Sequence, residues 1–174
     1  MTVELTASHP GRAVPPHTSE MRRVLGHFCT GIAVITAHDG ERAIGFTCQS
    51  VTSVSLEPPY ISFCPSLSST SWPLIRQVGA VCVNVLAADQ QDVCARFASR
   101  SDEKFAGVGW RPGRNGAPAL DRALARIEAD VQAEHIAGDH SIVVAEVTGL
   151  WAHAERGPLL FFRGGYGRFG GAHD

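Results

Sequence analysis

The stretch GFTCQSVTSVSLEPPYISFCPSLSSTSWPLI, residues 45–75, decides the fold of this 174-residue chain. Hydroxyl and apolar side chains alternate over residues 45–55, a pattern typical of a strand with one exposed face. Residues 51–55 and 60–65 are predicted as two extended segments, separated by a turn at Glu57-Pro58-Pro59. The centre of the chain is therefore predicted to consist of short strands joined by tight turns.

Two helices with a strand between them are predicted after these strands. The hydroxyl-rich run Ser68–Ser71 predicts the start of a helix that ends near Gly79, and residues 81–85 alternate as a strand. Asp89 is predicted to cap a second helix. That helix would direct three side chains toward the core: Val93, Cys94 and Phe97. Residues 106–118 (AGVGWRPGRNGAP) follow as an irregular loop, long enough to suggest a functional role.

A helix and a hairpin are predicted before the central stretch. The helix would begin at Thr18 or Ser19. Its apolar residues have the spacing of an amphipathic helix: Met21, Val24, Leu25 and Phe28. Residues 31–37 and 42–48 are predicted to pair around an Asp39-Gly40 turn.

Residues 124–134 fit both a helix and a strand. Four apolar positions have helical spacing, but five apolar residues alternate with five polar ones from Ala125 to Glu134, and we interpret the segment as a strand. Strands are also predicted for residues 141–152 and 158–163. Seven or eight short strands, peripheral helices and no repeated βαβ unit favour an antiparallel β-barrel.

The composition excludes several classes of protein. Fifteen Lys and Arg residues against seventeen Asp and Glu residues give a net charge of -2, without the basic surface of a nucleic-acid-binding protein. No apolar run approaches the roughly 18 residues that cross a bilayer, so no membrane association is expected. Residues 1–17 are interpreted as a flexible leader, 18–170 as one domain and 171–174 as a tail, and a cytoplasmic location is expected.

Two motifs have plain structural interpretations. Five cysteines without a CxxC pair indicate buried, reduced thiols. The spacing of His135 and His140 is not that of metal ligands, so no metal site is expected. Residues 165–170 match GxGxxG, but only four residues follow, too few for the helix of a dinucleotide-binding unit.

A run of hydroxyl residues and a later run of charged residues together predict a phosphate-binding site. Ser68–Ser71 would place hydroxyls and free N–H groups at the start of a helix, where an anion is favoured. The run Arg100–Phe105 adds cations shortly afterwards. Considered without the hydroxyl cluster, a run of charged residues such as this one is typical of a solvent-exposed turn.

Four segments together resemble the flavin reductase family, which supplies reduced flavin to two-component monooxygenases. They are residues 45–75, FASRSDEKF (97–105), AEHIAGDHSIVVAEV (133–147) and PLLFFRGGYGRF (158–169). The resemblance covers roughly residues 19–169. It implies a split β-barrel homodimer that binds one flavin per subunit near the subunit boundary. The implied reaction is hydride transfer from NADH or NADPH to FMN or FAD, with the reduced flavin passed to a separate monooxygenase.

The same resemblance implies the binding residues. Thr47–Ser53 would follow the isoalloxazine and ribityl groups, although the family often has Ala-Asn where this chain has Cys48-Gln49. His140, in the Gly138-Asp139-His140 element, would position the nicotinamide. The implied cofactor-binding set is Thr47, Cys48, Gln49, Ser50, Val51, Ser53, Phe63, Cys64, Ser68, Ser69, Thr70, Lys104, Phe105, His140 and Tyr166.

Two other functions stay open at the level of the sequence. One is a split barrel that binds flavin or haem without turnover. The other is a flavin-dependent amine oxidase of the pyridoxamine phosphate oxidase type. The GDH element and the lack of a basic cluster for a substrate phosphate disfavour both.

Overall fold

The computed structural model describes residues 17–153 and 155–170. The predicted leader (1–17) and tail (171–174) lie outside these residues, apart from His17. Three helices occur in the described chain: α1 (Thr18–Leu25), α2 (Trp72–Val78) and α3 (Gln91–Ala98). The strands are β1 (Thr30–Gly31), β2 (Ala33–His38), β3 (Ala43–Cys48), β4 (Thr52–Leu56), β5 (Pro59–Phe63), β6 (Ala80–Val85), β7 (Trp110–Pro112), β8 (Pro118–Leu120), β9 (Ala125–Ala137), β10 (His140–Ala152), β11 (Leu159–Phe162) and β12 (Gly165–Arg168).

A seven-stranded antiparallel sheet forms the frame, in the order β3-β2-β6-β9-β10-β5-β4. Its edge strands, β3 and β4, are separated in the chain only by residues 49–51. A flat sheet would hold these edges about 29 Å apart, at roughly 4.8 Å per strand. The connection from Cys48 to Thr52 reaches at most about 14 Å. The sheet must therefore curl until the ends of its two edge strands meet. The mainly β, antiparallel prediction is confirmed.

The strand interpretation of residues 124–134 is also confirmed. β9 pairs with β6 on one side and with β10 on the other, and β9 and β10, of thirteen residues each, form a hairpin around Gly138. Gly138 has φ 67°, a conformation that glycine adopts without strain. Pairing on both sides outweighs the helical preference of the Ala, Glu and Arg residues in this segment, because packing against neighbours dominates strand preference.

Buried side chains lie on both faces of β2. One cluster fills the curl of the sheet, with Ile35, Phe63 and Val83 fully buried. A second lies outside it, where α3 packs Phe97 against Val34 and the strands that follow. Both faces are covered because α3 and the β11–β12 hairpin cross the outer surface of the sheet.

A buried polar network joins the sheet to the short β7–β8 hairpin. Asn84 is fully buried, and its Nδ2 lies within 3.3 Å of the carbonyl oxygens of Val34, Cys82 and Pro118. Its Oδ1 accepts a hydrogen bond from the Leu120 N–H at 2.7 Å. One amide side chain thus satisfies backbone groups from three segments of the chain.

Three local predictions are wrong. α1 begins at Thr18 as predicted, but it ends at Leu25 and does not include Phe28, and none of its residues is buried in the single chain. Asp89 does not cap α3, which begins at Gln91, and pairs instead with Arg122 and Arg156. Residues 106–118 are not structureless, because β7 and most of the β7–β8 hairpin lie within them.

Two further differences concern thiols and glycines. All five cysteines are free, but Cys29 is exposed and Cys64 is half-buried, so the prediction of buried thiols holds only for the other three. The GxGxxG run forms β12, a strand absent from the sequence prediction, which pairs with β11. Among the described residues, no helix is long and apolar enough to cross a membrane.

Replacing Asn84 by Ala is expected to destabilise the fold. The Leu120 N–H would lose its buried acceptor, and an unsatisfied buried group costs about 1–3 kcal/mol. The Pro118 carbonyl would keep only its hydrogen bond from the Thr36 hydroxyl. We expect urea unfolding to show a loss of about 2–4 kcal/mol. Gln132→Ala, at an exposed position of β9, is the control and should change stability by less than about 0.5 kcal/mol. Equal stability of Asn84→Ala and the parent chain would contradict this role.

Candidate functional site

A cavity of about 670 Å³ opens where the two edges of the curled sheet meet. A volume of this size is typical of pockets for small organic ligands. Its walls come from the end of β3 with the linker to β4, the loop between β5 and α2, the end of α3 and the start of β10. The lining residues are Phe46, Thr47, Cys48, Gln49, Ser50, Cys64, Pro65, Ser66, Ser68, Ser69, Thr70, Phe97, Ala98, Ser99, Arg100, Lys104 and His140.

The linker from β3 to β4 forms one wall and is held by Ser50. The Ser50 hydroxyl accepts a hydrogen bond from the Cys64 N–H at 2.8 Å and lies 3.2 Å from the Cys48 sulfur. Residues 49–51 lie outside the strand pairings, so the backbone of the linker is not committed to a β-ladder. Burial raises the pKa of the Cys48 thiol, which therefore stays protonated near neutral pH. This wall offers backbone groups and a neutral thiol.

Thr47 and Gln49 have different environments. The Thr47 hydroxyl donates to the Cys94 carbonyl oxygen at 2.8 Å and so ties β3 to α3. Gln49 is exposed and lines both this cavity and a neighbouring, more apolar cavity of about 510 Å³. The Gln49 amide is therefore available to a ligand, whereas the Thr47 hydroxyl has a structural partner.

A cluster of hydroxyls forms the opposite wall. α2 begins at Trp72, later than predicted, so Ser68–Thr70 lie in the loop before it and not in its first turn. The Ser69 hydroxyl accepts a hydrogen bond from the Trp72 N–H at 3.1 Å, and the hydroxyls of Ser66 and Ser68 lie 2.9 Å apart. Ser69, and not the flanking Ser71, thus caps the helix.

Cations lie beside these hydroxyls. The Lys104 ammonium donates to the Gly45 carbonyl oxygen and the Ser71 hydroxyl, each at 3.2 Å, and its partial burial lowers its pKa. Arg100 lies exposed in the cavity wall. No Asp or Glu is found among the described residues that line this cavity. The cavity is therefore suited to an anion.

His140 lies at the start of β10, next to the hydroxyl cluster. A bridge between Ser66 and His140 and a hydrogen bond from the Ser141 N–H to the Pro65 carbonyl oxygen hold the two segments together. The His140 Nδ1 lies 2.8 Å from an Asp139 carboxylate oxygen, and nearly half of the His140 side chain is exposed. The contact at Nδ1 thus fixes the orientation of the imidazole, while another part of the ring faces the cavity.

Five of the predicted cofactor-binding residues are outside the lining of this cavity. Phe63 is fully buried and packs edge-on against Trp72 at 5.6 Å. Val51 packs against the central core, and Ser53 is exposed on β4. Phe105 lies behind the wall, with its ring 4.8 Å from that of Phe97.

Tyr166 is the fifth of these residues. It lies on β12, with its hydroxyl 3.4 Å from the Cys94 sulfur and its ring against Phe161. The Cys94 contact and burial raise the pKa of the Tyr166 phenol. Since Thr47 hydrogen-bonds the Cys94 backbone, Tyr166 contacts the residue directly behind the cavity wall.

Several lining residues were absent from the prediction. Phe46, Ser66 and residues 97–99 at the end of α3 all reach the cavity. Ser66 belongs to the same hydroxyl run as Ser68 and could have been included on that ground. The end of α3 carried no such signal, because only the packing of α3 on β3 places it there.

Comparisons with known proteins point to one family. The family described as "Flavin reductase like domain" matches residues 25–170. The reductase subunit HsaB of a flavin-dependent monooxygenase from Rhodococcus jostii is 47% identical over 145 residues, 83% of this chain and 74% of that protein.

Two solved structures have a similar fold. Nitrilotriacetate monooxygenase component B from Mycobacterium thermoresistibile superposes with a TM-score of 0.84 at 46% identity, covering 87% of this chain and 86% of that one. The NADH:FAD oxidoreductase SgcE6 from Streptomyces globisporus, in complex with NAD and FAD fragments, has a TM-score of 0.84 at 32% identity. That match covers 94% of this chain and 100% of the other.

Proposed function

The chain belongs to the family of flavin reductase like domains, and from this membership and the geometry of the cavity we propose that it is the reductase component of a two-component flavin-dependent monooxygenase. It transfers a hydride from NADH, or NADPH, to FMN or FAD and delivers the reduced flavin to a separate monooxygenase. The observation that carries this function is the cavity of about 670 Å³, with hydroxyls and cations at one side and an exposed backbone linker at the other.

The hydroxyl and cation side fits a flavin phosphate. Ser66, Ser68 and Thr70 can donate hydrogen bonds to phosphate oxygens, while Arg100 and Lys104 supply positive charge. The absence of carboxylates from the described lining removes the main source of repulsion. A phosphate bound here would also contact the loop that Ser69 connects to α2.

The linker side fits the ring system and the ribityl chain. Backbone groups of residues 49–51 and the Gln49 amide offer polar contacts, and Phe46 and Phe97 supply apolar surface. Val51, Ser53 and Tyr166 would join the site from the neighbouring surface, and Phe63 and Phe105 would support its walls from behind. Cys64 lines the cavity beside Ser50 and would lie between the two sides.

The protein's part in the reaction is to bind and align the reactants. When bound, a flavin supplies the acceptor for the hydride from nicotinamide C4, at its N5 atom. No side chain needs to form a covalent bond. His140 would position the nicotinamide through its free face, and the hydrogen bond between its Nδ1 and the Asp139 carboxylate would keep the ring in one orientation. The residues around the cavity would hold the two reactants in contact, and this alignment favours the transfer.

The assembly that we propose is a homodimer of split β-barrels in the cytoplasm, where NADH is available. The curl of the seven-stranded sheet supports the barrel, because its edges meet at residues 49–51. The exposed apolar residues of α1 and of the segment after it support the dimer, since Leu25, at the end of α1, and Phe28 are 61% and 77% exposed in the single chain. A second subunit would cover this surface.

Both alternative functions are less well supported. Flavin storage without turnover would not require His140 to face the cavity, and haem handling would require an apolar pocket with an axial ligand. An amine oxidase of the pyridoxamine phosphate oxidase type would require a second phosphate site. The names of HsaB, a monooxygenase reductase subunit, and of SgcE6, an NADH:FAD oxidoreductase, favour the reductase.

Replacing Ser69 by Asp is expected to weaken flavin binding. Asp retains an oxygen that can cap α2 but places a negative charge beside the proposed phosphate. We expect the Kd values for FMN and FAD, measured by fluorescence titration, to rise about tenfold or more. Ser69→Asn caps the helix without the charge and is the matched control. Unchanged affinity in Ser69→Asp would show that the phosphate binds elsewhere.

Replacing His140 by Ala is expected to slow hydride transfer without weakening flavin binding. Loss of nicotinamide positioning should lower kcat/KM for NADH by roughly tenfold to a hundredfold. Stopped-flow bleaching of bound flavin measures this step, and the flavin Kd and the melting temperature should stay nearly unchanged. His135→Ala, an exposed histidine on the same hairpin, is the control. Parental bleaching rates at all NADH concentrations would remove His140 from the site.

The dimer is tested by sedimentation. We expect a species of about twice 18.6 kDa at micromolar concentration, because the exposed apolar surface must be covered. Full reductase activity from a monomer under those conditions would contradict this assembly.

A further inference from the structure

A second, smaller pocket of about 260 Å³ lies on the outer face of the β9–β10 hairpin. It is at the opposite end of that hairpin from His140, where Arg126 and Trp151 are paired across the two strands. The residues of the 106–118 segment that form the β7–β8 hairpin complete its wall. None of its lining residues also lines the proposed flavin cavity.

Three arginines line this pocket, Arg111, Arg114 and Arg126, and the charge of Arg111 acts on that of Arg126. Across residues 17–153 and 155–170, none of their guanidinium groups has a carboxylate within 4.0 Å. The Arg126 Nε is buried without a hydrogen-bond partner, and burial and the charge of Arg111 lower the pKa of Arg126. A buried donor and mutually repelling charges are stabilised when an anion binds between them.

Two acidic residues lie near the arginines but do not neutralise them. Glu128 lines the pocket, and its carboxylate accepts a hydrogen bond from the Arg114 backbone N–H at 2.9 Å. Asp121 and Glu128 both act on the charge of Arg126, but only at more than salt-bridge distance. Three positive charges against two negative ones leave the pocket cationic.

The pocket is held rigidly. The Asn115 side chain donates to the Val81 carbonyl oxygen at 2.9 Å, and the Gly113 N–H donates to the Ala117 carbonyl oxygen at 2.8 Å. A Cβ at Gly113 would lie 2.4 Å from a Glu128 carboxylate oxygen, so only glycine fits there without displacement. The arginines at either side of Gly113 are thus placed by a fixed turn.

We infer that this pocket is a binding site for a small organic carboxylate, separate from the flavin site. The carboxylate would bind the guanidinium groups of Arg126 and Arg111, whose paired N–H groups match its geometry. The apolar part would contact Leu150 and the edge of Trp151, whose face is covered by Arg126 at 4.4 Å. This apolar wall favours an organic acid over inorganic phosphate.

Isothermal titration of the full chain with sodium benzoate, at constant ionic strength, tests this site. Titrations with and without saturating FMN should give the same Kd, because the two cavities share no lining residue. Arg111→Gln and Arg126→Gln should each raise the Kd at least tenfold. Arg23→Gln, on exposed α1, is the control and should leave it unchanged.

Three results would overturn the inference. They are no heat of binding at millimolar benzoate, equal affinity in Arg111→Gln and the parent, or phosphate binding as tightly as benzoate. Arg111 is exposed, so Arg111→Gln should fold normally. This variant keeps the test valid even if Arg126→Gln, which changes a half-buried residue, does not fold. Benzamide, which has the same ring without the charge, should not bind.

Discussion

Residues 49–51 connect strands at opposite edges of a seven-stranded sheet, and that short connection determines the shape of the molecule. The sheet has to curl until β3 and β4 meet, and their meeting point becomes the wall of the main cavity. Ser50 then fastens the linker to the end of β5 through the Cys64 N–H. Cys48 and Gln49 face the cavity because the linker must cross this gap and cannot continue as a strand.

The chemistry of the cavity follows from what the curl brings together. The loop before α2 contributes hydroxyls, the segment after α3 contributes Lys104, and the β9–β10 turn contributes His140. These groups are far apart in the sequence but lie around one opening. Hydroxyls and cations at one side and backbone groups at the other suit a long ligand with an anionic end, which is the form of a flavin nucleotide.

The two cationic pockets differ in how their charges are held. Lys104 donates hydrogen bonds to the Gly45 carbonyl oxygen and the Ser71 hydroxyl and is thereby part of the fold. Arg111 and Arg126 have no comparable polar partner among the described residues, and Arg126 is supported mainly by the ring of Trp151. The first pocket can hold a phosphate with groups that already have hydrogen-bond partners, whereas in the second the proposed anion would supply the partner that the Arg126 Nε lacks.

Local patterns in the sequence predicted the long strands and the β9–β10 hairpin, because alternation shows which side chains share a face. Most of the lining residues were implied by the resemblance to flavin reductases. The motif from residue 45 to 75 also indicated the family, since its hydroxyls and turns lie close together in the chain.

Only the tertiary structure decided which elements cover each face of a helix or strand. The apolar side of α1 looks like a core face but is exposed in the single chain, and Asp89 looks like a helix cap but pairs with Arg122 and Arg156. The 106–118 segment looks like a loop beside an active site, but it folds over the far end of the β9–β10 hairpin. Periodicity describes one element at a time, whereas burial and pairing depend on elements that are distant in the sequence.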